Sequence, residues 1–485
     1  MDSLATVLQT ARKGAKLPEA TMARLVGLDR RTVLRLEAGE EEPSSGVLER
    51  YACAFGLSIS QLMAGEAARA PMRMLFRSMI AEGRPSVVQL AQTGAHLMLG
   101  EFVRCTGELA ALRGRLGERR HPPLLGLARP VQVKNDSAPP HRADELAEQI
   151  RDKLGLGVEP IPSMVELVQE RLGIDVFWVG PDELDPTLDA ASVMAPGPAI
   201  LVNLVGGVEQ WWRTRMTLAH ELCHLLFDRD MLASGTQRGF VLYSPGLLPG
   251  GEWDRRPEAR RRWYFSEEFE RIEQRASAFA AYFLVPPSQV RALTEGLDPT
   301  SEAAIAAIAR SHGVGRETAI NLLTNVHDLE QDVRTAMLRR PHGAPHDAGS
   351  EARFHEPAEM RPGLRSGVLR DLVFRALSAG AIDRAEARDH LAWPLTEPLP
   401  EHPGLSEELR APLRSSADKV RLAVDRYLAD RKLPDSLRAA NVSRDGDGYR
   451  VTVADVQGRD AYETAGFVWL TAGLEVSKDD VRRSR

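Results

Sequence analysis

The chain has 485 residues, of which 43% are hydrophobic and 27% are charged, and its formal net charge is -6. This composition is that of an ordinary globular protein, and the acidic balance excludes a protein that binds nucleic acid through a basic surface as a whole. The cysteines at 53, 105 and 223 lie far apart, which excludes a disulfide framework or a cysteine-based zinc site and favours the cytoplasm.

At typical domain sizes, a chain of this length forms about three folded units. The first residues lack a basic segment followed by an apolar run, and no stretch of about 18 uncharged apolar residues occurs. We therefore expect no secretion signal and no membrane span.

Residues 1–65 have helical periodicity in short pieces, which Gly27, Gly39 and Gly56 interrupt. This pattern predicts a small all-α domain of about five short helices. Two of these helices are joined by the turn at Gly27, and Asp29 is suited to cap the second one.

The two helices around Gly27, together with the later run Leu57-Ser-Ile-Ser-Gln-Leu62, resemble the Xre/Cro-type helix-turn-helix family. The resemblance implies that the second helix enters the major groove of double-stranded DNA, where arginines read guanine edges or hold phosphates. The residues that it assigns to DNA contacts are Arg30, Arg31, Thr32 and Arg35.

Two acidic features depart from the pattern of that family. Glu19 stands where many members have a DNA-contacting glutamine, and Glu40, Glu41 and Glu42 follow the second helix. Carboxylates at these places repel DNA phosphates and weaken binding. The module is therefore either a DNA-binding domain or a module for protein interaction or dimerisation, the last of which would give a homodimer.

Residues 66–140 are predicted to form a helical connector and linker. Helical patterns cover Met72–Ile80, Val87–Leu99 and Phe102–Leu116, and a polar, proline-ended stretch at 134–140 is typical of a linker.

Residues 141–335 have the mixed pattern of an α+β domain. The strand predicted at Ala199–Asn203 is either an edge strand that holds an extended substrate by strand addition or a plain core strand. The other predicted elements are helices at 142–155 and 162–172, a strand at Ile174–Val179, and helices near Glu209–Phe227 and Glu267–Leu284, the last ended by Pro286 and Pro287.

The sequence His220-Glu221-Leu222-Cys223-His224 lies within the predicted helix that ends at Phe227. Residues four apart share a helix face, so both imidazoles can bind one metal ion. Glu221 is placed beside the open position of such an ion, where its carboxylate can take a proton from water and return it to a leaving amine. The motif thus predicts two ligands, His220 and His224, and a general base, Glu221.

A tetrahedral catalytic zinc site needs a third protein ligand. Two histidines and one carboxylate would make an open site with three ligands, which predicts zinc as the cofactor, with manganese as the alternative. Glu273 is preferred because positions 273, 276, 277 and 280 form one helix face on which small residues allow close helix packing. The alternative for Glu273 is a solvated surface charge. The other acidic candidates are Glu252, Glu258, Glu267, Glu268 and Glu270.

The run Thr217-Leu-Ala-His-Glu-Leu-Cys-His-Leu-Leu-Phe-Asp228, followed by Glu273-Gln-Arg-Ala-Ser-Ala-Phe-Ala-Ala281, resembles the ImmA/IrrE family of zinc-dependent metallopeptidases. The resemblance covers about residues 141–330 and implies a zincin-like domain with the metal ligands His220, His224 and Glu273 and the general base Glu221. In this chain cysteine stands at 223, where glycine is common, and serine replaces the usual asparagine at 277. Neither change removes a ligand.

Two neighbours of the motif have alternative interpretations. Cys223 either competes for the metal or, as is more usual at this spacing, is a buried structural thiol. Asp228 either orients a ligand imidazole or is a polar residue at the end of the helix.

Members of the metallopeptidase family are associated with cleaving repressors or other regulators after stress, DNA damage, or mobile-element and phage-defence signals. The resemblance therefore implies an intracellular zinc-dependent endopeptidase that acts on a protein substrate. The alternative is a transcription regulator whose metal domain senses rather than cleaves. Glu221 separates the two interpretations, because a sensing site does not require a general base.

Residues 336–362 are rich in Pro, Gly, His and Ala, which predicts a linker. Beyond it, 363–485 is predicted to be a C-terminal α/β extension of unknown fold, with a helical pattern at 364–395 and alternating segments at Tyr449–Ala454 and Phe467–Leu470. The predicted fold class is therefore multidomain, with an all-α helix-turn-helix domain, an α+β zincin-like metallopeptidase domain and this extension.

Overall fold

The computed structural model describes residues 3–14, 17–63, 73–74, 87–118, 124–129, 142–180, 188–194, 197–204, 211–228, 240–245, 267–341, 346, 353–354, 363–394, 397–412, 437–445, 448–455 and 462–463. No helix within these ranges is long and apolar enough to cross a membrane.

The N-terminal module consists of five helices, as the sequence predicts. Gly27 and Gly39 end the second and third helices with φ angles of 69° and 77°, a left-handed conformation that glycine adopts without strain. Asp29 caps the third helix, because its side chain accepts a hydrogen bond from the backbone N–H of Thr32. The bounds are α1 Leu4–Gly14, α2 Glu19–Val26, α3 Arg30–Ala38, α4 Ser45–Ala54 and α5 Ile59–Met63.

One long helix, α6, spans Val87–Arg115. The two helices predicted at Val87–Leu99 and Phe102–Leu116 are therefore continuous, and Gly100 lies inside the helix rather than between two helices. A side-chain carbon at Gly100 would overlap the carbonyl oxygen of Cys53, so glycine is needed here for the close approach of α6 to α4. The connector is thus packed directly against the N-terminal module.

The central sheet has five strands in the order β1-β5-β3-β4-β2. β4 pairs in parallel with β2 and antiparallel with β3, and all five of its residues are buried. The edge-strand interpretation of Ala199–Asn203 is therefore wrong, and the alternative of a core strand is correct. The bounds are β1 Arg73–Met74, β2 Asp175–Val179, β3 Leu188–Val193, β4 Ala199–Asn203 and β5 Phe240–Pro245.

The helix predicted at Met72–Ile80 is wrong at Arg73–Met74, which pairs in parallel with β5 as strand β1. The rest of that predicted helix lies outside the described residues. A backbone pair in the sheet decides the conformation here, and local helical periodicity does not reveal it.

The sheet is covered on both faces, so its strands alternate between two apolar cores. Val176 and Trp178 of β2 belong to the core on one face, and Phe177 and Val179 belong to the core on the other. The first core contains the helices that carry the predicted metal ligands, α10 Trp211–Phe227 and α11 Glu267–Leu284, which match the sequence prediction over the described residues.

Further helices surround that first core. Residues 167–171 wind as a π-helix, which extends the short helix α9 and ends before β2. Short helices α12 to α15 follow the metal-ligand helices in the chain. The bounds are α7 Leu124–Leu127, α8 Ala143–Lys153, α9 Met164–Glu166, α12 Pro287–Leu293, α13 Glu302–His312, α14 Arg316–Val326 and α15 Gln331–Arg339.

The opposite face of the sheet is covered by α6 together with helices from beyond residue 363. Phe102 of α6 contacts Phe177 edge to face, and Arg113 binds Asp175 of β2 with two hydrogen bonds of 2.5 and 2.6 Å. Residues 364–405 share this core, so they are not a unit that stands apart. The helices here are α16 Val368–Ser378, α17 Arg384–His390 and α18 Glu407–Arg410.

A three-stranded antiparallel sheet completes the described C-terminal region. It consists of β6 Leu437–Asp445, β7 Gly448–Asp455 and β8 Tyr462–Glu463. β7 confirms the strand predicted at Tyr449–Ala454, whereas Phe467–Leu470 lies outside the described residues.

Candidate metal centre

Helix α10 is anchored near its first turn by large side chains. Trp211 stacks on Phe354 with ring centroids 5.6 Å apart. The guanidinium of Arg215, which is fully buried, donates to the carbonyl oxygens of Ile161 at 2.6 Å and Gly313 at 3.2 Å. These contacts fix the rotation of the helix about its axis, so its next turn presents His220 and His224 in a defined direction.

Helix α11 lies against α10 through a face of small side chains. Ala276 and Ala280 are fully buried between the helices, as the spacing from Glu273 predicts. Phe279 contacts Phe227 at the end of α10 edge to face, with a centroid separation of 5.6 Å. Small residues allow this close approach, and it carries the Glu273 carboxylate to the two histidines.

The side chains of His220, His224 and Glu273 converge on one point. The two Nε2 atoms are 3.1 Å apart, and Glu273 Oε2 lies 3.2 Å from His220 Nε2. Glu273 Oε1 lies 3.4 Å from His224 Nε2. Among the described side chains, these three form a cluster suited to hold a metal ion.

The three separations fit the donor set of a tetrahedral zinc site. Bonds of 2.0–2.1 Å place two ligand atoms on the edge of a tetrahedron about 3.3 Å apart. The two Nε2 atoms, 3.1 Å apart, and the pair His220 Nε2 and Glu273 Oε2, 3.2 Å apart, are close to that value. The other carboxylate oxygen, Oε1, lies 3.4 Å from His224 Nε2. Two imidazoles and one carboxylate also leave a fourth position for water or substrate.

The outer nitrogens of both imidazoles have partners as well. His224 Nδ1 lies 2.8 Å from Asp228 Oδ2, and His220 Nδ1 lies 3.3 Å from Ser277 Oγ. An Nδ1–H that donates to such an acceptor leaves the Nε2 lone pair free to bind metal. Of the two roles considered for Asp228, the structure places its carboxylate against the ligand imidazole.

Arg275 is a residue of this site that the sequence interpretation missed. Its guanidinium forms a buried ion pair with Asp228, and both side chains are at most 1% exposed. The signal in the sequence is weak, because Arg275 follows other charged and polar residues in the first half of the helix, among them Glu273 and Gln274. A charge there needs a partner, but only the packing of α11 on α10 identifies Asp228.

The charges of the cluster strongly perturb one another. Burial lowers the pKa of His224, but the carboxylates of Glu273 and Asp228 outweigh this effect and raise its pKa to about 10. Burial raises the pKa of Glu273, but His224 and His220 outweigh it and lower the pKa to about 2. Without metal, the cluster is therefore an ion pair, and a metal ion would displace a proton because histidine binds metal as neutral imidazole.

The remaining motif residues, Glu221 and Cys223, are fully buried within α10. Glu221 directly follows the ligand His220, as a general base of this motif must. Burial raises the pKa of the Cys223 thiol, and Arg275 contacts that side chain. A thiol that stays protonated is a poor metal ligand, which favours the structural role for Cys223. Of the other acidic candidates, Glu252 and Glu258 lie outside the described residues, and for Glu267, Glu268 and Glu270 only the helical backbone is described.

The predicted DNA-contacting residues lie together on α3, and three of them are engaged within the module. Arg30 donates two hydrogen bonds to Glu19 at 2.8 and 2.6 Å. Arg35 is 2.9 Å from a carboxylate oxygen of Glu41, and Thr32 donates to Asp29 at 2.8 Å. Arg31 is exposed and forms no ion pair within the described part of the chain.

Comparison with known families gives one result for this chain. A family model described as helix-turn-helix matches residues 8–62, which covers α2, the turn at Gly27 and α3. The match indicates a DNA-binding regulator and concerns this module alone. No curated protein matches the chain.

Proposed function

We propose that the chain is a metal-dependent peptidase of the ImmA/IrrE type that cleaves a regulatory protein, such as a repressor or an antitoxin-like partner. The observation that carries this proposal is the convergence of His220, His224 and Glu273 with separations of 3.1 to 3.4 Å, in which the two histidines lie on the same helix as Glu221. A ligand triad next to a buried carboxylate combines metal binding with proton transfer.

The resident ion in this proposal is zinc, with manganese as the alternative. When bound, it would polarise a peptide carbonyl and acidify the attacking water. Glu221 then accepts a proton from that water at its carboxylate and returns it to the nitrogen of the leaving amine. Because Glu221 is fully buried, its carboxylate acts where bulk water does not compete for the proton.

The two sides of the cluster differ in their access to solvent. The side chains of His220 and Glu273 are 11% and 10% exposed, whereas His224 is fully buried. Ser277, beside His220, is exposed. We infer that the substrate approaches from the side of His220, and that the side of His224 is the closed floor of the site.

The N-terminal module would bring this activity to DNA or to a DNA-bound partner. Residues 8–62 contain eight Lys or Arg and seven Asp or Glu, so the module has almost no net positive charge. Since phosphate contacts supply most of non-specific affinity, we expect weak, salt-sensitive DNA binding in which Arg31 contributes most.

A second candidate function is a transcription regulator whose metal site senses a metal rather than cleaves. The match of the helix-turn-helix family to residues 8–62 favours it, because that module by itself indicates a regulator. The two candidates differ in what Glu221 does. In a sensor, loss of its carboxylate leaves the output unchanged as long as metal binding survives.

Identification of new protein N-termini tests the proposal. The zinc-loaded full chain would be incubated with a lysate of the source organism in which existing N-termini have been blocked chemically. We expect new N-termini in one or a few proteins, and their formation should stop after addition of a chelator.

Glu221→Gln is the matched control, because it keeps size and polarity while removing the base. It should bind zinc as the unmodified protein does but cleave at least about 100-fold more slowly, in line with the usual contribution of a general base. Cleavage by Glu221→Gln at the normal rate would refute the mechanism. Absence of new N-termini from any protein, together with normal metal binding, would favour the sensor.

A further inference from the structure

Behind the ligand cluster lies a buried ion pair between Asp228, directly after α10, and Arg275, within α11. Asp228 is 2% exposed and Arg275 is 1% exposed, and Arg275 is among the largest fully buried side chains of the described residues. The site as proposed needs neither of them as a ligand or as a base. Their burial directly behind His224 nevertheless requires a physical explanation.

We propose that Asp228 and Arg275 are positioning residues, which together fix the imidazole of His224 in the orientation and tautomer that metal binding requires. The inference rests on the proposed metal site and adds two residues to it. The contacts form one chain, from the guanidinium of Arg275 to Asp228 Oδ1, and from Asp228 Oδ2 to His224 Nδ1 at 2.8 Å. Both carboxylate oxygens of Asp228 are therefore used.

The role of Arg275 follows from the cost of burying a charge. A carboxylate buried without a cationic partner is strongly disfavoured, and it would take up a proton or turn away. Arg275 supplies that partner at one carboxylate oxygen of Asp228, while the other oxygen faces His224 Nδ1 and can accept its N–H. That hydrogen bond leaves Nε2 unprotonated towards the metal and raises the basicity of the ring.

The pair also fixes how the two helices lie against each other. Arg275 comes two residues after Glu273 on α11, while Asp228 comes four residues after His224 at the end of α10. A shift of α11 along α10 would therefore move Glu273 away from the histidines and break the ion pair between Arg275 and Asp228 at the same time. The ion pair thus holds Glu273 at the distance from His224 that a shared metal ion needs.

The other ligand histidine is held more weakly. His220 Nδ1 faces the neutral hydroxyl of Ser277 at 3.3 Å, and Ser277 is exposed. A hydrogen bond between neutral groups at the surface is weaker than a buried bond to a carboxylate. We therefore expect the imidazole of His224 to be held rigidly and that of His220 to be adjustable. Ser277→Ala should then change metal affinity little, whereas Asp228→Asn should lower it strongly.

The test measures metal affinity and metal geometry, without a cleavage assay. Co²⁺ replaces zinc in the full chain, its visible absorption reports the coordination geometry, and competition with a chelator gives its affinity. Asp228→Asn and Arg275→Met should each lower the affinity by about 10-fold to 100-fold, the usual effect of losing a hydrogen-bond partner of a ligand. Both should also change the cobalt spectrum, and their effects should not add when they are combined.

A double variant keeps the test valid if a single substitution prevents folding. Asp228→Leu with Arg275→Met replaces the whole buried pair by apolar side chains, which is often neutral or stabilising for the fold. We expect this variant to fold and still to bind Co²⁺ about 10-fold to 100-fold more weakly than the unmodified protein. Arg388→Met is the matched control, since Arg388 is an equally buried arginine that donates to backbone carbonyls but lies on α17, on the opposite face of the sheet.

The control should lower the free energy of unfolding and leave the Co²⁺ spectrum and affinity of the folded protein unchanged. Normal Co²⁺ affinity and an unchanged spectrum in the double variant would overturn the positioning role and leave the metal site itself intact. If the unmodified protein binds no Co²⁺ or zinc, the proposed metal site fails, and that outcome is distinct from failure of the positioning role.

Discussion

The helix-turn-helix module and the metal centre both pair arginines with carboxylates, but they place these pairs in different surroundings. In the module, Arg30 and Glu19 are 67% and 28% exposed, and Arg35 and Glu41 are 48% and 41% exposed. In the metal centre, Arg275 and Asp228 are at most 1% exposed. Water and salt screen the first kind of pair, whereas the second kind lies in a medium of low polarity.

The solvent exposure of an ion pair determines what the pair can do for function. An exposed ion pair adds little to the stability of the fold and can open when DNA approaches. Glu19 therefore competes with DNA phosphate for Arg30. A buried pair cannot open without leaving an uncompensated charge, so it fixes geometry. The module therefore suits adjustable binding, and the metal centre suits a rigid arrangement of ligands. The predictions that follow test this contrast.

The largest effect is expected at the third ligand. Glu273→Ala should lower zinc affinity by more than about 100-fold, because loss of a ligand exceeds the effect of losing one of its hydrogen-bond partners. Gln274→Ala is the matched control, since the neighbouring Gln274 is exposed and should keep normal affinity. Chelator competition gives both values, and equal affinity for zinc in the two variants would remove Glu273 from the site.

One buried pair in the N-terminal module provides a test within that region. Arg12 donates two hydrogen bonds of 2.7 Å to Glu37, and both residues are buried. Glu37→Ala should destabilise the module by about 3–5 kcal/mol, because buried Arg12 loses both hydrogen bonds to a carboxylate and is left with the carboxylate of Glu19, 3.9 Å from its guanidinium. Hydrogen exchange of amides in α1 and α3, measured in the full chain, reports this loss.

Glu41→Ala is the control for that experiment, because Glu41 forms an exposed pair with Arg35. It should change amide exchange far less than Glu37→Ala does. Similar amide exchange in the two variants would contradict the expectation that burial, rather than residue type, determines how much an ion pair contributes to stability.

Next in size is a pH effect at a buried histidine, His312, which ends helix α13. Burial lowers the pKa of His312 to about 4, well below its usual value near 6.5. Between these values the unfolded chain binds more protons than the folded one, so stability falls as the pH decreases through this window. The loss for His312 amounts to about 3 kcal/mol between pH 6.5 and pH 4.

His312→Leu removes the titrating group and keeps an apolar side chain in the core. The free energy of unfolding of this variant should decline less steeply between pH 6.5 and pH 4 than that of the unmodified protein. Parallel curves for the two proteins across that range would show that His312 takes up its proton at the same pH in the folded and the unfolded state.

The smallest effect is expected on the surface of α3. Glu19→Gln removes the partner of Arg30 and a negative charge near the DNA, so it should raise affinity for a short duplex of random sequence and steepen the salt dependence by about one unit. Arg31→Ala should do the opposite, with a slope about one unit shallower. Gel-shift titrations at two salt concentrations measure both slopes, and equal slopes in all three proteins would favour a protein-interaction module.

The sequence by itself determined the local features of this protein. Glycines at 27 and 39 end helices because they adopt a left-handed conformation, and the four-residue spacing of His220 and His224 places both rings on one face. The prolines at 286 and 287 end α11 at Leu284. Each of these features depends on residues within a few positions of one another, so periodicity and spacing are sufficient to predict it.

Only the tertiary structure decided which distant residues meet. Gly100 of α6 packs against the backbone of Cys53, and the central place of β4 depends on partners in β2 and β3. The pairing of Arg275 with Asp228 spans 47 residues of sequence. In the sequence Arg275 stands among other polar residues, so its burial and its partner follow only from the packing of two helices. A buried charge without a partner is too costly to persist, and Asp228 supplies that partner.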